Sequence, residues 1–217
     1  MKLLFLDTET TGLDPVKNGI HQVSGIIEID GVVKDEFDFK FKPIEKIEMV
    51  NADSLKVSGL TIEDLRARTM TSAEAYKQLL SIFQKHVDRY NKADKFHMVG
   101  QNTKFDYDFI MEWFRKHGNQ YGYAYIFYHL IDIISTTAIF KCAGKISVQD
   151  MKLATVASFF GIPLVAHDAA QDIRVTREIF KRYCSLLQQV TDIGAAITQQ
   201  GATTEITKAA KSAGLIK

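Results

Sequence analysis

Acidic residues at the ends of short apolar runs are the part of this sequence that could do chemistry. The run Leu3-Leu4-Phe5-Leu6 stops at Asp7-Thr8-Glu9. In an extended chain, positions 7 and 9 share a face, so two carboxylates stand side by side where an apolar strand ends. Like charges so close repel, and burial adds to the cost. A hard divalent cation such as Mg²⁺ or Mn²⁺ relieves both. The competing reading is one acid that caps the following turn and another that is solvated. A second signal is Asn102-Thr103-Lys104-Phe105-Asp106, where Asp106 falls in the first turn of a helix and could serve only the helix dipole. A third is His167-Asp168-Ala169-Ala170-Gln171-Asp172. Asp168 is placed as an N-cap, which leaves His167 in the loop before the helix and Asp172 in its first turns. With an ordinary pKa of ~6.5, a histidine can take a proton near neutrality. The bland alternative is a loop histidine bonded to a carbonyl. His21, His86, His97, His117 and His129 have no acid at this spacing.

These residues need elements to position them. Residues 2–6 read as a buried strand and 20–29 as a second β-rich run, followed by the hairpin signal Asp30-Gly31. Phe37, Phe39 and Phe41 alternate with polar residues and predict a third strand. Thr71-Ser72-Ala73-Glu74 predicts a capped helix with Tyr76, Leu79, Leu80, Phe83 and Val87 along one face. Phe96–Gly100 predicts a strand. Asn102 is placed to cap the next helix, whose Phe105, Phe109 and Trp113 lie four apart. Tyr125–Ile131 predicts another strand. Helices are expected from Asp132, from Ser147-Val148-Gln149-Asp150 to Gly161, and from Ala169 to Gln188. Three antiparallel strands followed by interleaved strands and helices make a mixed α/β chain. Residues 1–188 are expected to form the functional domain and 189–217 a polar tail.

Lys plus Arg number 27 and Asp plus Glu 26, a formal +1. Proteins that hold nucleic acid through many phosphates are strongly basic, so the balance argues against a nucleic-acid coat but leaves room for an enzyme gripping a few nucleotides. A hydrophobic fraction of 46% is ordinary for a globular chain and excludes a mainly disordered or collagen-like one. No apolar run approaches the ~20 residues of a membrane helix, and the start lacks the ~7–15 apolar residues of an export signal. Cys142 and Cys184 have no paired metal or disulfide spacing. A cytoplasmic setting is therefore expected.

Asp7, Glu9, Asp106, His167 and Asp172 occur in order, each at a strand edge or helix start. The set resembles the DEDDh-type 3′–5′ exonuclease family, which includes the proofreading epsilon subunit of bacterial DNA polymerase III, ribonuclease T and oligoribonucleases. The matching stretches are 6–13, 100–106 and 167–172, with weaker agreement at 55–61 and Ile131-Asp132, so the resemblance covers about residues 1–185. Ser58 departs from it, since many epsilon-like members carry a histidine there. The resemblance implies a ribonuclease H-like fold with a five-stranded mixed sheet flanked by helices. It also implies phosphodiester hydrolysis with two Mg²⁺ or Mn²⁺ ions. Asp7 would bridge the ions, Glu9 and Asp172 would complete the site of the water-activating one, and Asp106 would hold the second through water. His167 would be the general base. Thr10, Thr11, Gly12, Leu13, Asn102 and Phe105 are expected to meet the terminal nucleotide, although Phe105 also continues the core stripe of Phe109 and Trp113. Arg174, Arg177 and Lys181 share a helix face, for which a solvated role is expected because Glu178 interrupts it. The expected substrate is the 3′ end of single-stranded DNA. RNA trimming is the alternative, because both chemistries use the same five residues and 2′-OH contacts decide. A polymerase subunit is the expected partner of the tail, and a polymerase-docking module the second functional reading.

Overall fold

The computed structural model describes residues 1–45, 47, 50, 55–56, 59–164 and 169–199, with side chains to residue 189. Ser58, His167 and Asp168 lie outside the described residues. The chain divides into two compact units, Met1–Ile179 and Phe180–Lys217.

The first unit is built on one five-stranded sheet in the order β3-β2-β1-β4-β5. Strands β1 (Lys2–Thr10), β2 (Ile20–Ile29) and β3 (Val32–Lys40) form the expected antiparallel meander. The β2–β3 turn is Asp30-Gly31, both with positive φ (50° and 81°), the geometry that matches strand twist in a tight hairpin. β4 (His97–Gly100) runs parallel to β1, and β5 (Ile131–Asp132) parallel to β4. The mixed α/β sheet is thus the one the sequence predicts.

Helices cover this sheet. Helix α1 spans Ile62–Ala67 and α2 Ser72–His86, each opened by a complete capping box, Thr61 with Asp64 and Thr71 with Glu74. The first of these boxes is legible in the local sequence Thr61-Ile62-Glu63-Asp64. Helix α3 spans Thr103–Lys116, α4 Ile133–Cys142, α5 Leu153–Phe159 and α6 Ala169–Gln199. Leu4, Leu6, Val23, Ile27, Phe83, Phe96, Met98, Phe109, Trp113 and Phe114 form the buried core between sheet and helices. Phe41 stacks on Trp113 at 5.2 Å. Trp113 Nε1 donates to Ser72 Oγ at 2.8 Å, so the one indole is buried with its polar atom satisfied.

Three expectations are corrected. The strand predicted over Tyr125–Ile131 is reduced to Ile131–Asp132, preceded by a single bridge between Phe96 and Ile126. β4 is only four residues long and offers few ladder partners, so Tyr125 and Ile126 serve as core plugs. The helix predicted from Ser147 begins at Leu153. Asp150 Oδ1 accepts the Lys152 N–H at 3.0 Å, closing a local turn that competes with helix. The last helix does not stop at Gln188 but continues to Gln199 into the second unit. Polar residues such as Gln and Thr do not break a helix, and Gly194 costs only about 1 kcal/mol. Among the described residues, no helix is long and apolar enough to cross a membrane.

Candidate active site

The sheet register lays out the site. Asp7 lies opposite Ser24, which lies opposite Asp38, and Glu9 lies opposite Gln22. Alternation along the strands puts all five side chains on one face. Asp38 Oδ1 accepts from Ser24 Oγ at 2.6 Å and from Gln22 Nε2 at 2.8 Å. The floor beside the two β1 carboxylates is therefore a polar strip crossing three strands.

Asp106 arrives from the other side of β1. The pairing of β1 with β4 ends at Phe5 and Val99, and β1 continues past it. Beyond that point the Thr8 N–H has no strand to meet. Asp106 Oδ1 takes its place, accepting from Thr8 N at 2.9 Å and from Thr8 Oγ1 at 2.7 Å. Asp106 is 3% exposed. Burial pushes its carboxyl up to about 7 in spite of the two Thr8 hydrogen bonds, and the charge of Glu9 adds to the rise. Asp7 keeps some solvent exposure, yet its carboxyl is held well above the usual range, first by burial and then by the charges of Asp106, Glu9 and Asp172. Asp7 thus lies within the field of the other three acids, from β1, α3 and α6. Among the described residues, no three acid or histidine side chains close into a ready ligand cage, as expected of carboxylates that repel.

The framework around these acids includes Asp132, expected only to start its own helix. Asp132 caps its own helix through Oδ1, which accepts the Ile134 N–H at 2.7 Å. Its Oδ2 accepts the Thr103 N–H at 2.7 Å, and Thr103 Oγ1 donates to Ile131 O at 2.8 Å. Asp132 therefore caps α3 as well as α4. Asn102 stands at the α3 N-cap position in the left-handed region (φ 61°) and makes no side-chain cap bond. The capping role expected of Asn102 belongs to Asp132, and the Asn102 side chain is exposed.

The predicted substrate contacts divide in the same way. Leu13 is 85% exposed. Thr10 Oγ1 donates to Gly12 O at 2.7 Å, and a Cβ on Gly12 would meet the Asn18 side chain at 2.4 Å. Thr11 is buried, its N–H donates to Gly19 O at 2.9 Å, and its hydroxyl donates to Glu45. Its amide is engaged within the loop. Phe105 is half-buried with its ring 4.8 Å from that of Phe109, which favours its core role. Arg174 is exposed as expected and pairs with Glu36 at the surface, whereas Arg177 is drawn out of solvent onto Glu28; both tie the start of α6 to β3 and β2.

This mixed sheet with acids gathered at the end of its central strand is the architecture of a nuclease class. The family model for the Exonuclease (RNase_T) family matches residues 4–180, and the chain belongs to that family. It is similar to the PolC-type DNA polymerase III of Thermotoga petrophila, 27% identical over 187 residues, and to that of Mycoplasmopsis pulmonis, 27% identical over 186. These alignments cover 85% and 84% of this chain but only 12% and 11% of the relatives. Among solved structures, the zinc-bound complex of E. coli exonuclease I with single-stranded DNA shares the fold, with a TM-score of 0.71 and 21% identity over 91% of this chain and 43% of that one. The E. coli exonuclease I complex with a dT13 oligonucleotide gives 0.70 and 20%, over 88% and 43%.

Proposed function

We propose that this chain is a metal-dependent 3′–5′ exonuclease acting on the 3′ end of single-stranded DNA. The observation that carries the reading is the crowding of Glu9, Asp106 and Asp172 around Asp7, in a chain of the exonuclease family. The donor set fits Mg²⁺ or Mn²⁺: the donors are all hard oxygens, and the Asp7 and Asp106 carboxyls are pushed toward the protonated state first by burial and then by neighbouring negative charge, which a cation would balance. When bound, two such ions supply Lewis acidity and a nucleophile at neutral pH.

The chain's own residues do the rest. Asp7, Glu9 and Asp172 present carboxylates from β1 and α6, and Asp106 presents one from α3. Thr8 holds Asp106 Oδ1 by two hydrogen bonds and so fixes where Oδ2 points. His167 takes the proton of the attacking water as general base. Leu13, exposed just past the end of β1, meets the terminal base, and Asn102 and Phe105 contact the same terminal nucleotide.

DNA is favoured because the relatives are DNA polymerases and the structural neighbours were solved with DNA oligonucleotides. A polymerase partner bound through residues 189–217 is the companion proposal, drawn from the PolC-type relatives. The test is a nuclease assay with Mg²⁺ or Mn²⁺ on 5′-labelled DNA and RNA of one sequence. Stepwise shortening of the DNA is the expected result. Asp7→Asn or Asp172→Asn should abolish it, and full activity in either variant would sink the assignment. His167→Ala should slow cleavage by on the order of 10²–10⁴-fold while leaving strand binding. Faster cleavage of RNA would transfer the proposal to RNA trimming. Co-elution with a polymerase subunit that survives deletion of residues 190–217 would refute docking through the tail.

A further inference from the structure

Four exposed tyrosines fall in two neighbouring segments: Tyr90 in the loop after α2, and Tyr121, Tyr123 and Tyr128 before β5. Tyr90 is 85% exposed, Tyr121 51% and Tyr123 54%. Two cations stand among them. The Arg89 guanidinium lies 5.3 Å from the ring centres of both Tyr90 and Tyr121. The Lys95 ammonium lies 5.8 Å from Tyr123 and 5.7 Å from Phe127, and donates to Tyr123 O at 2.9 Å. Neither forms an ion pair with a carboxylate among the described residues. A carboxylate would cancel such a charge, whereas a ring places it without cancelling it. The nearby acids are otherwise engaged: Asp94 pairs with Lys2 and accepts the Asp88 N–H, and Asp88 accepts the Tyr90 N–H.

Two features relate this surface to the candidate active site. The Lys2–Asp94 pair ties the 88–94 loop to the start of β1, five residues, or about 17 Å, from Asp7. A cleft of about 440 Å³ runs along the outer side of α3, lined by Pro15, Tyr107, Met111, Arg115 and Tyr123 among others. The cleft's lining runs from Tyr107, the residue after Asp106 on α3, to Tyr123 of the tyrosine surface. The two acids of the cleft, Asp108 and Glu112, are paired with Lys104 and Arg115.

We propose that Tyr90, Tyr121 and Tyr123, with Arg89 and Lys95, form a second binding surface for single-stranded nucleic acid, joined to the acid cluster by the α3 cleft and holding the strand several nucleotides upstream of its 3′ end. Uncancelled cations beside exposed rings offer what such a strand needs, contacts to phosphates and stacking faces for bases. A duplex keeps its bases stacked inside and cannot use the rings. The inference rests on the proposed nuclease function.

The test uses the full chain and a double variant, Tyr121→Ser with Tyr123→Ser, alongside Arg89→Ser. The probes are 5′-fluorescein-labelled oligothymidylates of four and sixteen nucleotides, with binding read by anisotropy in EDTA and hydrolysis in Mg²⁺. Affinity for the sixteen-mer should fall about ten- to a hundredfold in the double variant. Hydrolysis of the four-mer should stay within about twofold, and Tyr121→Phe with Tyr123→Phe should restore binding. Unchanged affinity for the sixteen-mer, or equal losses on both lengths, would overturn the proposal. So would a loss confined to self-association, or to binding of an acidic peptide such as oligoglutamate. Absence of any hydrolysis by the unaltered protein would defeat the nuclease reading instead, and the EDTA binding arm would still judge this surface.

Discussion

Asp106 concentrates the conflict of the site in one side chain. Burial raises its pKa to about 7 while two hydrogen bonds from Thr8 pull it down. Removing the hydroxyl by Thr8→Val leaves only the backbone bond. The apparent affinity for Mg²⁺ should fall about 10–100-fold, read as a shift in the metal dependence of cleavage at little change in fold. The sign of the pH effect on stability follows from the same shifts. Asp7 and Asp106 have folded pKa values raised above the unfolded carboxyl value. Their native-state preference for the proton stabilises the metal-free protein in acid, and the Asp106 part of that contribution is lost as pH rises through about 7. A divalent cation replaces the protons and reverses the trend. The gain in Tm on adding Mg²⁺ should therefore be larger near pH 8 than near pH 5, and a pH-independent gain would contradict the clustering.

At the scale of elements, the decisive device is one carboxylate shared by two helices. Asp132 satisfies orphan amides at the starts of α3 and α4 with its two oxygens and places negative charge at two helix N-termini. An asparagine has one acceptor oxygen and can serve only one of them. Asp132→Asn should cost about 1 kcal/mol and Asp132→Ala about 2 kcal/mol in chemical denaturation. Because α3 carries Asp106, both should lower kcat more than they raise KM, and an effect on stability alone would deny Asp132 a positioning role. The pairing of Arg177 with Glu28, at 2.8 Å through Nε, does for α6 what Asp132 does for α3: it fixes the helix that carries Asp172 to the sheet.

For the whole molecule, a buried histidine sets the acid limit. His21 is fully buried, with Arg68 Nη1 3.2 Å from its Nδ1. Burial, and then the Arg68 charge, lower its pKa from 6.5 to about 3. The native state therefore refuses a proton that the unfolded chain accepts, and the stability this gives is complete above about 6.5 and lost as pH falls toward 3. His21→Gln should flatten the decline of the urea midpoint between neutral pH and about pH 4, by on the order of 2 kcal/mol. A decline as steep as in the unaltered protein would assign the acid sensitivity to other groups.

Local pattern along the chain is enough to specify the class of fold and the acids at its strand and helix ends. Period-two alternation over Phe37–Phe41, the Asp30-Gly31 turn and the Thr71–Glu74 capping box are local signals, and local sterics and hydrogen bonding fix what they form. The pairing of residues 7 and 9 on one face follows from the strand period alone. What the sequence could not hold were relations between distant segments. Asp132 and Thr103 are 29 positions apart and Thr8 and Asp106 are 98 apart, and no periodicity links them. Nor did composition reveal that Arg174 and Arg177 are spent on Glu36 and Glu28, or that Thr11 turns its amide inward. Tertiary structure decided these, because a buried amide or charge must be answered and only the parallel placement of β4 beside β1 determines which side chain is near enough to answer it.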